Sequence, residues 1–213
     1  MNMRGLEKLS ERKLVPVIAL HDAKDALPLA EALCAGGLPA AEITFRTSAA
    51  EASIRAVVKA FPDMMVGAGT LTTVDQARRA RDAGASFFVT PGFSHKIVEF
   101  ALAEDIPIYP GACTPTELML LAEYGLPVAK FFPAQQFGGL DTIETLSAPF
   151  PNLKFMPTGG INAGNVLTYL ASESVIACGG SWMVKPELIR AGRFDEIQAL
   201  TRQAVELVRG AEK

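Results

Sequence analysis

Short apolar runs alternate with longer helix-like stretches along almost the whole chain. This order is typical of a parallel sheet, because the chain needs a crossover, usually a helix, to return to the start of the next strand. Eight strands are predicted, at residues 15–20, 40–45, 65–70, 87–91, 106–111, 128–133, 154–159 and 175–180. Helices are predicted between them, including residues 22–35 and 48–61, together with a polar helix at 3–12 and a last helix at 195–209.

Eight strand–helix units predict an α/β fold, a (β/α)8 TIM barrel with an extra N-terminal helix. We expect one domain over residues 1–213, because no linker or low-complexity tract divides the chain and single barrels reach this length. Asp22 and Ser48 are expected to cap the helices that follow them. An open doubly wound sheet is the competing architecture, but its Gly-x-Gly-x-x-Gly fingerprint after the first strand is absent.

Charge and composition narrow the class of protein. The formal net charge of −3 gives no global support for binding nucleic acid or an anionic membrane, so any phosphate must be held locally. Residues 1–8 lack the apolar core of a signal peptide, and no apolar run approaches membrane-spanning length, so a cytoplasmic protein is expected. Cys34, Cys113 and Cys178 are widely spaced and are expected to be reduced, buried packing residues.

The apolar run at residues 128–133 contains one charged residue, Lys130. Because alternate side chains of a strand share a face, Val128, Lys130 and Phe132 point the same way, with the amine directed inward beside a phenylalanine. Removal from water disfavours the charged form of an amine, and a neutral amine can attack a ketone. Lys130 is therefore a candidate Schiff-base nucleophile; a lysine paired with a core carboxylate or reaching to the rim is the alternative.

The second strand places two charged residues, Glu42 and Arg46, on one face. Their Cα atoms are expected to lie about 13 Å apart, too far for a close ion pair unless both side chains bend. Different roles follow: Glu42 suits proton transfer near Lys130, and Arg46 suits a carboxylate clamp. Thr70, at the end of the third strand, can bind an anion or a carbonyl. An ion-pair network that only lines the barrel is the other interpretation.

Glycine-rich turns end the last two strands, where barrels of this type often bind phosphate. Glycine lets backbone N–H groups converge on an anion, although two ordinary glycine turns would have the same composition. The turns consist of Thr158-Gly159-Gly160 and Gly179-Gly180-Ser181.

Six segments together carry a family resemblance. In chain order they are Glu42-Ile43-Thr44-Phe45-Arg46-Thr47, Val66-Gly67-Ala68-Gly69-Thr70, Thr114-Pro115-Thr116-Glu117, Lys130-Phe131-Phe132-Pro133-Ala134, Pro157-Thr158-Gly159-Gly160-Ile161 and Gly179-Gly180-Ser181-Trp182. The set resembles the KDPG/KHG aldolases, class I enzymes that cleave 2-keto-3-deoxy-6-phosphogluconate (KDPG) and 4-hydroxy-2-oxoglutarate (KHG). The match runs in register from about residue 15 to the last helix, and an ordered set is more specific than any one motif.

The resemblance implies a lyase of the Entner–Doudoroff pathway that forms a Schiff base on Lys130, with Glu42 as general acid and base. It implies that pyruvate and glyceraldehyde 3-phosphate are released from KDPG, and pyruvate and glyoxylate from KHG. It further implies a homotrimer that takes small keto-acid substrates and uses no metal or other cofactor. The substrate-binding residues that it implies are Arg46, Thr70, Pro91, Phe132, Thr158, Gly159, Gly160, Gly180 and Ser181.

Several alternatives stay open at this point. Other pyruvate aldolases use a divalent metal ion, but His21 and His95 are the only histidines and no ligand cluster is visible. A phosphosugar isomerase or a non-catalytic phospholigand-binding barrel would share the phosphate loops. The C4-epimeric phosphogalactonate is a further possible substrate. Phe45 and residues 135–137 depart from the family pattern and bear on substrate selectivity.

Overall fold

Eight strands and ten α-helices alternate along residues 3–211, the part of the chain that the computed structural model describes. The strands are β1 (Leu14–Ile18), β2 (Ala40–Thr44), β3 (Met65–Gly69), β4 (Phe87–Val89), β5 (Ile108–Tyr109), β6 (Val128–Phe131), β7 (Lys154–Pro157) and β8 (Cys178–Gly180). The helices are α1 (Met3–Arg12), α2 (Ala26–Ala35), α3 (Ala50–Ala60), α4 (Val74–Asp82), α5 (His95–Ala103), α6 (Pro115–Glu123), α7 (Gly139–Ser147), α8 (Val166–Leu170), α9 (Pro186–Arg190) and α10 (Phe194–Ala211). Two 3-10 helices span Ala23–Asp25 and Gln135–Phe137.

The strands do not form the complete barrel that the sequence predicts. Hydrogen-bonded parallel pairing joins six strands in the order β5-β4-β3-β2-β1-β8, while β6 and β7 form a separate two-stranded sheet. Single bridges cross the two gaps: Gly111 faces Lys130, and Phe155 and Thr158 face residues of the β8 segment. The prediction of a closed (β/α)8 TIM barrel is therefore wrong, and the fold is an α/β arrangement built on a six-stranded parallel sheet.

Proline and glycine explain where the sheet is interrupted. Pro107 and Pro110 flank the two residues of β5. A proline has no N–H to donate, so pairing towards β6 is reduced to the neighbourhood of one bridge, at Gly111. On the other side, β8 is only three residues long, and two of them are glycines, which weaken a strand.

Strands end earlier than the hydrophobic pattern predicts. Thr70 and Gly159, expected to be strand residues, have φ angles of 57° and 97°, which turn the chain out of the extended conformation. In the same way β2 ends at Thr44 and β6 at Phe131. Most of the predicted site residues therefore lie on loops that follow the strands, where binding groups are commonly found.

The helices agree with the prediction except that α2 and α3 begin later than predicted. The N-terminal helix occupies residues 3–12 as predicted, and the last helix is slightly longer than predicted. Asp22 accepts a hydrogen bond from the backbone of Lys24 at 3.0 Å and caps the 3-10 helix that precedes α2. Ser48 does not cap α3; Ala49 holds that position and makes no side-chain bond. None of the helices in the described range is long and apolar enough to cross a membrane.

Buried aromatic and aliphatic side chains fill the space between strands and helices. Phe88, Phe131 and Phe155 are fully buried, and the last two rings meet edge to face with centroids 6.3 Å apart. The three cysteines are free thiols. Cys178 is fully buried as predicted, whereas Cys34 is only partly buried. Residues 1, 2, 212 and 213 lie outside the described part of the chain. Residues 1 and 2 belong to the segment that was expected to lack the apolar core of a signal peptide.

Candidate active site

Lys130 and Glu42 form a buried ion pair. Nζ of Lys130 lies 3.2 Å from Oε1 of Glu42, and the two side chains are 4% and 0% exposed. Lys130 belongs to β6 and Glu42 to β2, so the pair joins the two sheets. The second carboxylate oxygen, Oε2, is buried and has no hydrogen-bond partner in the part of the chain that the structure describes. A buried acceptor left unpaired in this way is available to a ligand or a proton.

Gly69 makes room for the Glu42 carboxylate. The two residues lie on neighbouring strands, with Thr44 opposite Gly69. A Cβ atom built on Gly69 would lie 2.6 Å from Cγ of Glu42 and would overlap its Oε1. Only glycine fits there without displacing the carboxylate. The sequence predicts close backbone approach at this strand end, and the approaching group is Glu42.

Backbone contacts hold Lys130 in place. Its N–H donates to the carbonyl of Pro110 at 2.8 Å, and its carbonyl accepts from the N–H of Ala112 at 3.0 Å. Phe132 lies beside the amine as predicted, with Nζ 5.4 Å from the ring centroid. An ammonium at this distance is attracted to the ring face, so Phe132 helps to fix the lysine head group.

Arg46 and Thr70 form a second pair, at the rim. Nε of the exposed Arg46 donates to the hydroxyl of Thr70 at 3.3 Å. The N–H of Phe45 donates to the carbonyl of Gly69 at 2.8 Å and joins the two loops. Arg46, predicted to lie on the second strand, follows β2 in the structure. It bonds to Thr70, whereas Glu42 bonds to Lys130, so the two charged residues make separate contacts. The terminal guanidinium nitrogens are the groups that bind a carboxylate in bidentate fashion.

Pro91 lies just beyond β4 and is exposed. Its carbonyl packs against Gly111, where a Cβ atom would overlap it and would lie 2.6 Å from the N atom of Gly92. Gly111 in turn forms the bridge to Lys130. The loop after β4 is thus brought against the backbone that carries the lysine.

Thr158 lies where the two sheets meet. It is 6% exposed, and its buried hydroxyl has no hydrogen-bond partner. Gly179 faces it across a single bridge, and a Cβ atom on Gly179 would lie 3.2 Å from Cγ2 of Thr158 and overlap its hydroxyl. Within residues 3–211 the hydroxyl is therefore a second polar group without a partner, just beyond the strand that pairs with the strand of Lys130.

The bridge at Thr158 brings the two glycine turns out of the sheet side by side. Gly159 and Gly160 have φ angles of 97° and 80°, in the left-handed region that favours glycine. Gly180 is covered by the ring of Trp182: a Cβ atom there would lie 3.3 Å from Cη2 and would overlap nearer ring atoms. Ser181 follows and is exposed. Exposed hydroxyl and backbone N–H groups at such turns can bind an anion.

Residues that the sequence reasoning missed hold the first glycine turn. The carbonyl of Gly160 accepts from the side-chain amides of Asn162 at 3.1 Å and Asn165 at 2.9 Å. The N–H of Gln135 donates to the carbonyl of Gly159 at 3.1 Å. The run Gly-Gly-Ile-Asn-Ala-Gly-Asn could have indicated the asparagines, because Asn side chains commonly bond to nearby backbone in turns.

A thiol also lies close to the lysine strand. Sγ of Cys113 donates to the carbonyl of Phe132 at 3.0 Å, and burial raises the pKa of this thiol. His95 lies elsewhere, with Nδ1 3.0 Å from the hydroxyl of Tyr124. Over residues 3–211 no three His, Cys, Asp or Glu side chains group as metal ligands.

Known proteins share this architecture and sequence. Residues 6–200 match the family model of KDPG and KHG aldolases. A 2-dehydro-3-deoxy-phosphogluconate aldolase of Haemophilus influenzae is 44% identical over 204 residues, 96% of each chain. The KHG/KDPG aldolase of Escherichia coli K12 is 42% identical over 198 residues, 93% of each chain. The crystal structure of KDPG aldolase from Legionella pneumophila superimposes with a TM-score of 0.90 and 37% identity, covering 93% of this chain and 96% of that one. It holds pyruvate captured at low pH as a covalent carbinolamine intermediate.

Proposed function

Because the chain belongs to the KDPG and KHG aldolase family, we propose that it cleaves KDPG to pyruvate and glyceraldehyde 3-phosphate through a Schiff base on Lys130. This is the aldolase step of the Entner–Doudoroff pathway. The observation that carries the proposal is the buried pair of Lys130 and Glu42, 3.2 Å apart, with one carboxylate oxygen unpaired. A nucleophile and a base within hydrogen-bonding distance are the two groups that imine chemistry requires.

The first step forms the imine. The neutral amine of Lys130 attacks C2 of the substrate, and the carbonyl oxygen takes up a proton to give a carbinolamine. Glu42 returns the proton that it took from the Lys130 ammonium to the carbinolamine hydroxyl, so that water leaves and an iminium ion remains as the electron sink for the next step. The pyruvate adduct in the Legionella enzyme is of this carbinolamine type. Glu42, which contacts Nζ, can accept the proton that the amine must lose before it attacks.

The second step breaks the bond between C3 and C4. Glu42 removes the proton of the C4 hydroxyl, the C3–C4 electrons move to the iminium, and the aldehyde leaves from an enamine. Proton return to C3 followed by hydrolysis releases pyruvate and frees Lys130. The unpaired Oε2 of Glu42 is the atom best placed to accept the C4 proton while Oε1 stays on the lysine.

The remaining polar groups orient the substrate. Arg46 and Thr70 bind the carboxylate next to the reacting ketone. We assign the buried hydroxyl of Thr158 and the loop at Pro91 to the middle of the substrate, between its carboxylate and its phosphate. The phosphate is bound at the far end by the two glycine turns, Gly159, Gly160, Gly180 and Ser181. Phe132 keeps the lysine side apolar.

KHG is proposed as a second substrate. It carries the same 2-keto acid end as KDPG but no phosphate, so it needs Lys130, Glu42 and Arg46 but not the glycine turns. The name of the Escherichia coli relative, KHG/KDPG aldolase, supports this proposal. A homotrimer stays a prediction that the family resemblance supports, and a cytoplasmic location stays a prediction from the sequence pattern.

A pyruvate-release assay tests the proposed function. The full chain is incubated with KDPG, KHG or the C4-epimeric phosphogalactonate, and pyruvate is measured with lactate dehydrogenase. We expect KDPG to be cleaved most efficiently, with no effect of EDTA. Preference for the epimer would change the substrate assignment, and activity that EDTA removes and a divalent ion restores would replace the imine mechanism by metal catalysis.

A further inference from the structure

Gln135, outside the set of substrate-binding residues, lies directly against the Gly159–Gly160 turn. Its N–H donates to the carbonyl of Gly159 at 3.1 Å. A Cβ atom built on Gly160 would lie 2.5 Å from Cβ of Gln135, so the backbone of the turn rests on the aliphatic part of this side chain. One residue thus contacts both glycines.

Tyr169 fixes the end of the Gln135 side chain. The hydroxyl of Tyr169 donates to Oε1 of Gln135 at 3.1 Å. Tyr169 lies on α8 and is 4% exposed, so its ring cannot move away without opening the core. Burial raises the pKa of Tyr169, which keeps the hydroxyl protonated and able to donate.

Two asparagines also hold this turn. Asn162 and Asn165 both donate to the carbonyl of Gly160, at 3.1 and 2.9 Å. The turn is therefore bound by the asparagine side chains at the Gly160 carbonyl and by Gln135 at the Gly159 carbonyl. Glycines with positive φ have no side chain of their own to fix the direction of their N–H groups, so that direction depends on these contacts.

We propose that Gln135, oriented by Tyr169, is the positioning residue that keeps the Gly159–Gly160 turn in the geometry that binds the substrate phosphate. The inference rests on the proposed function, because that function places the phosphate at this turn. It also gives a role to a segment, residues 135–137, in which the sequence departs from the family pattern. Lys130 and Glu42 bond to each other and Gln135 bonds to Tyr169, so we expect the larger effect at the phosphate end.

Kinetics with two substrates test the proposal. Tyr169→Phe removes the hydroxyl that donates to Gln135, and Gln135→Ala removes the oxygen that accepts this bond. We expect either substitution to lower kcat/KM for KDPG about three- to tenfold, the usual effect of one net hydrogen bond, mainly through KM. For KHG, which has no phosphate, kcat/KM stays within about twofold of the wild type because the larger effect is expected at the phosphate end.

Tyr124→Phe is the matched control. It also removes a tyrosine hydroxyl that donates a hydrogen bond, to Glu99 at 2.9 Å, but away from the glycine turns. Both substrates should be cleaved by this variant as by the wild type. Equal losses for KDPG and KHG in Tyr169→Phe, or no loss for either, would overturn the proposal.

Binding of inorganic phosphate separates this inference from the proposed function. Phosphate is titrated into the wild type and Tyr169→Phe and followed by 31P NMR, which needs no turnover. We expect the dissociation constant to rise about three- to tenfold in Tyr169→Phe. That result supports the positioning role even if the wild type cleaves no KDPG, in which case only the proposed function fails. Equal affinities in the two proteins would overturn the positioning role whatever the activity.

Discussion

Nζ of Lys130 lies 3.2 Å from Oε1 of Glu42, although 88 residues separate them along the chain. Lys130 belongs to the two-stranded sheet and Glu42 to the six-stranded sheet, so this contact spans the fold. Both groups are buried. In the protein interior, away from water, the Coulomb interaction between neighbouring charges is stronger. The mechanism depends on this one contact and on the groups around it.

Glu42→Gln should separate imine formation from bond cleavage. Glutamine keeps the volume of the side chain but cannot accept the C4 proton, so cleavage of KDPG should slow roughly 10²- to 10⁴-fold. The imine with pyruvate should still form, although more slowly, because Lys130 is unchanged but has lost the carboxylate that accepts its proton. The measurement is single-turnover cleavage beside borohydride trapping of pyruvate. Normal cleavage by Glu42→Gln would show that Glu42 only lines the site.

Gly69→Ala should impair catalysis without touching a substrate-binding side chain. The new Cβ would overlap the Glu42 carboxylate and push it from Lys130. We expect a loss in kcat of about 10²-fold or more, comparable to loss of the acid–base group, in a protein that remains folded. Circular dichroism and kcat are measured together.

Gly210→Ala is the control for the previous variant. Gly210 lies in α10, and a Cβ atom there meets nothing within 4 Å. Alanine should leave kcat unchanged and stabilise the helix by up to about 1 kcal/mol. A Gly69→Ala enzyme as active as Gly210→Ala would contradict the packing role assigned to Gly69.

Ser181→Asp should lower the cleavage of one substrate, KDPG, selectively. The carboxylate would stand where the phosphate dianion binds, and like charges in contact cost several kcal/mol. KDPG cleavage should fall steeply, while KHG cleavage should change much less. The ratio of kcat/KM for the two substrates is compared with that of the wild type. Equal losses would remove Ser181 from the phosphate site.

Cys178 should resist alkylation in the folded protein. Burial raises the pKa of Cys178 from 9.0 to about 12, so at pH 8 its thiolate fraction is about 10³-fold below that of a free cysteine. In the folded protein iodoacetamide should label Cys34 and Cys113 before Cys178, and in urea it should label all three, as mass spectrometry would show. Labelling of native Cys178 as fast as Cys34 would contradict this prediction.

The raised pKa of Cys178 also predicts how stability depends on pH. Because the folded state holds the thiol proton more tightly than the unfolded state does, the contribution of this thiol to stability is lost as the pH rises from about 9 to about 12.

Local sequence pattern predicts the order of strands and helices that the structure has, and the strand ends supply the residues from which the site is proposed. The position of Lys130 in an apolar strand was enough to expect its burial, because period-two alternation decides which face it takes. Closure of the sheet could not be predicted in this way. It depends on how the prolines beside β5 and the glycines of β8 limit pairing between strands far apart in the chain.

Contacts between elements far apart in the chain were also beyond the sequence pattern. The bond from Tyr169 to Gln135 joins residues 34 apart, and neither has a spacing or a motif that indicates the other. Gly69 was recognised as a place of close approach, but the approaching group, Glu42, is defined only by the register of β2 and β3. Such relationships are set by packing across strands, which a single sequence does not encode in its periodicity.

A stable pyruvate adduct on Lys130 tests the central claim most directly. The protein is incubated with pyruvate and sodium borohydride, digested, and examined by mass spectrometry, with Lys130→Met as the control. Since removal of Lys130 leaves Glu42 buried without its partner, Lys130→Met combined with Glu42→Gln serves if the single variant is unstable. We predict one reduced pyruvate adduct, on Lys130, in the wild type and none in either variant. Active wild-type enzyme with no adduct, or with the adduct on another lysine, would contradict the account.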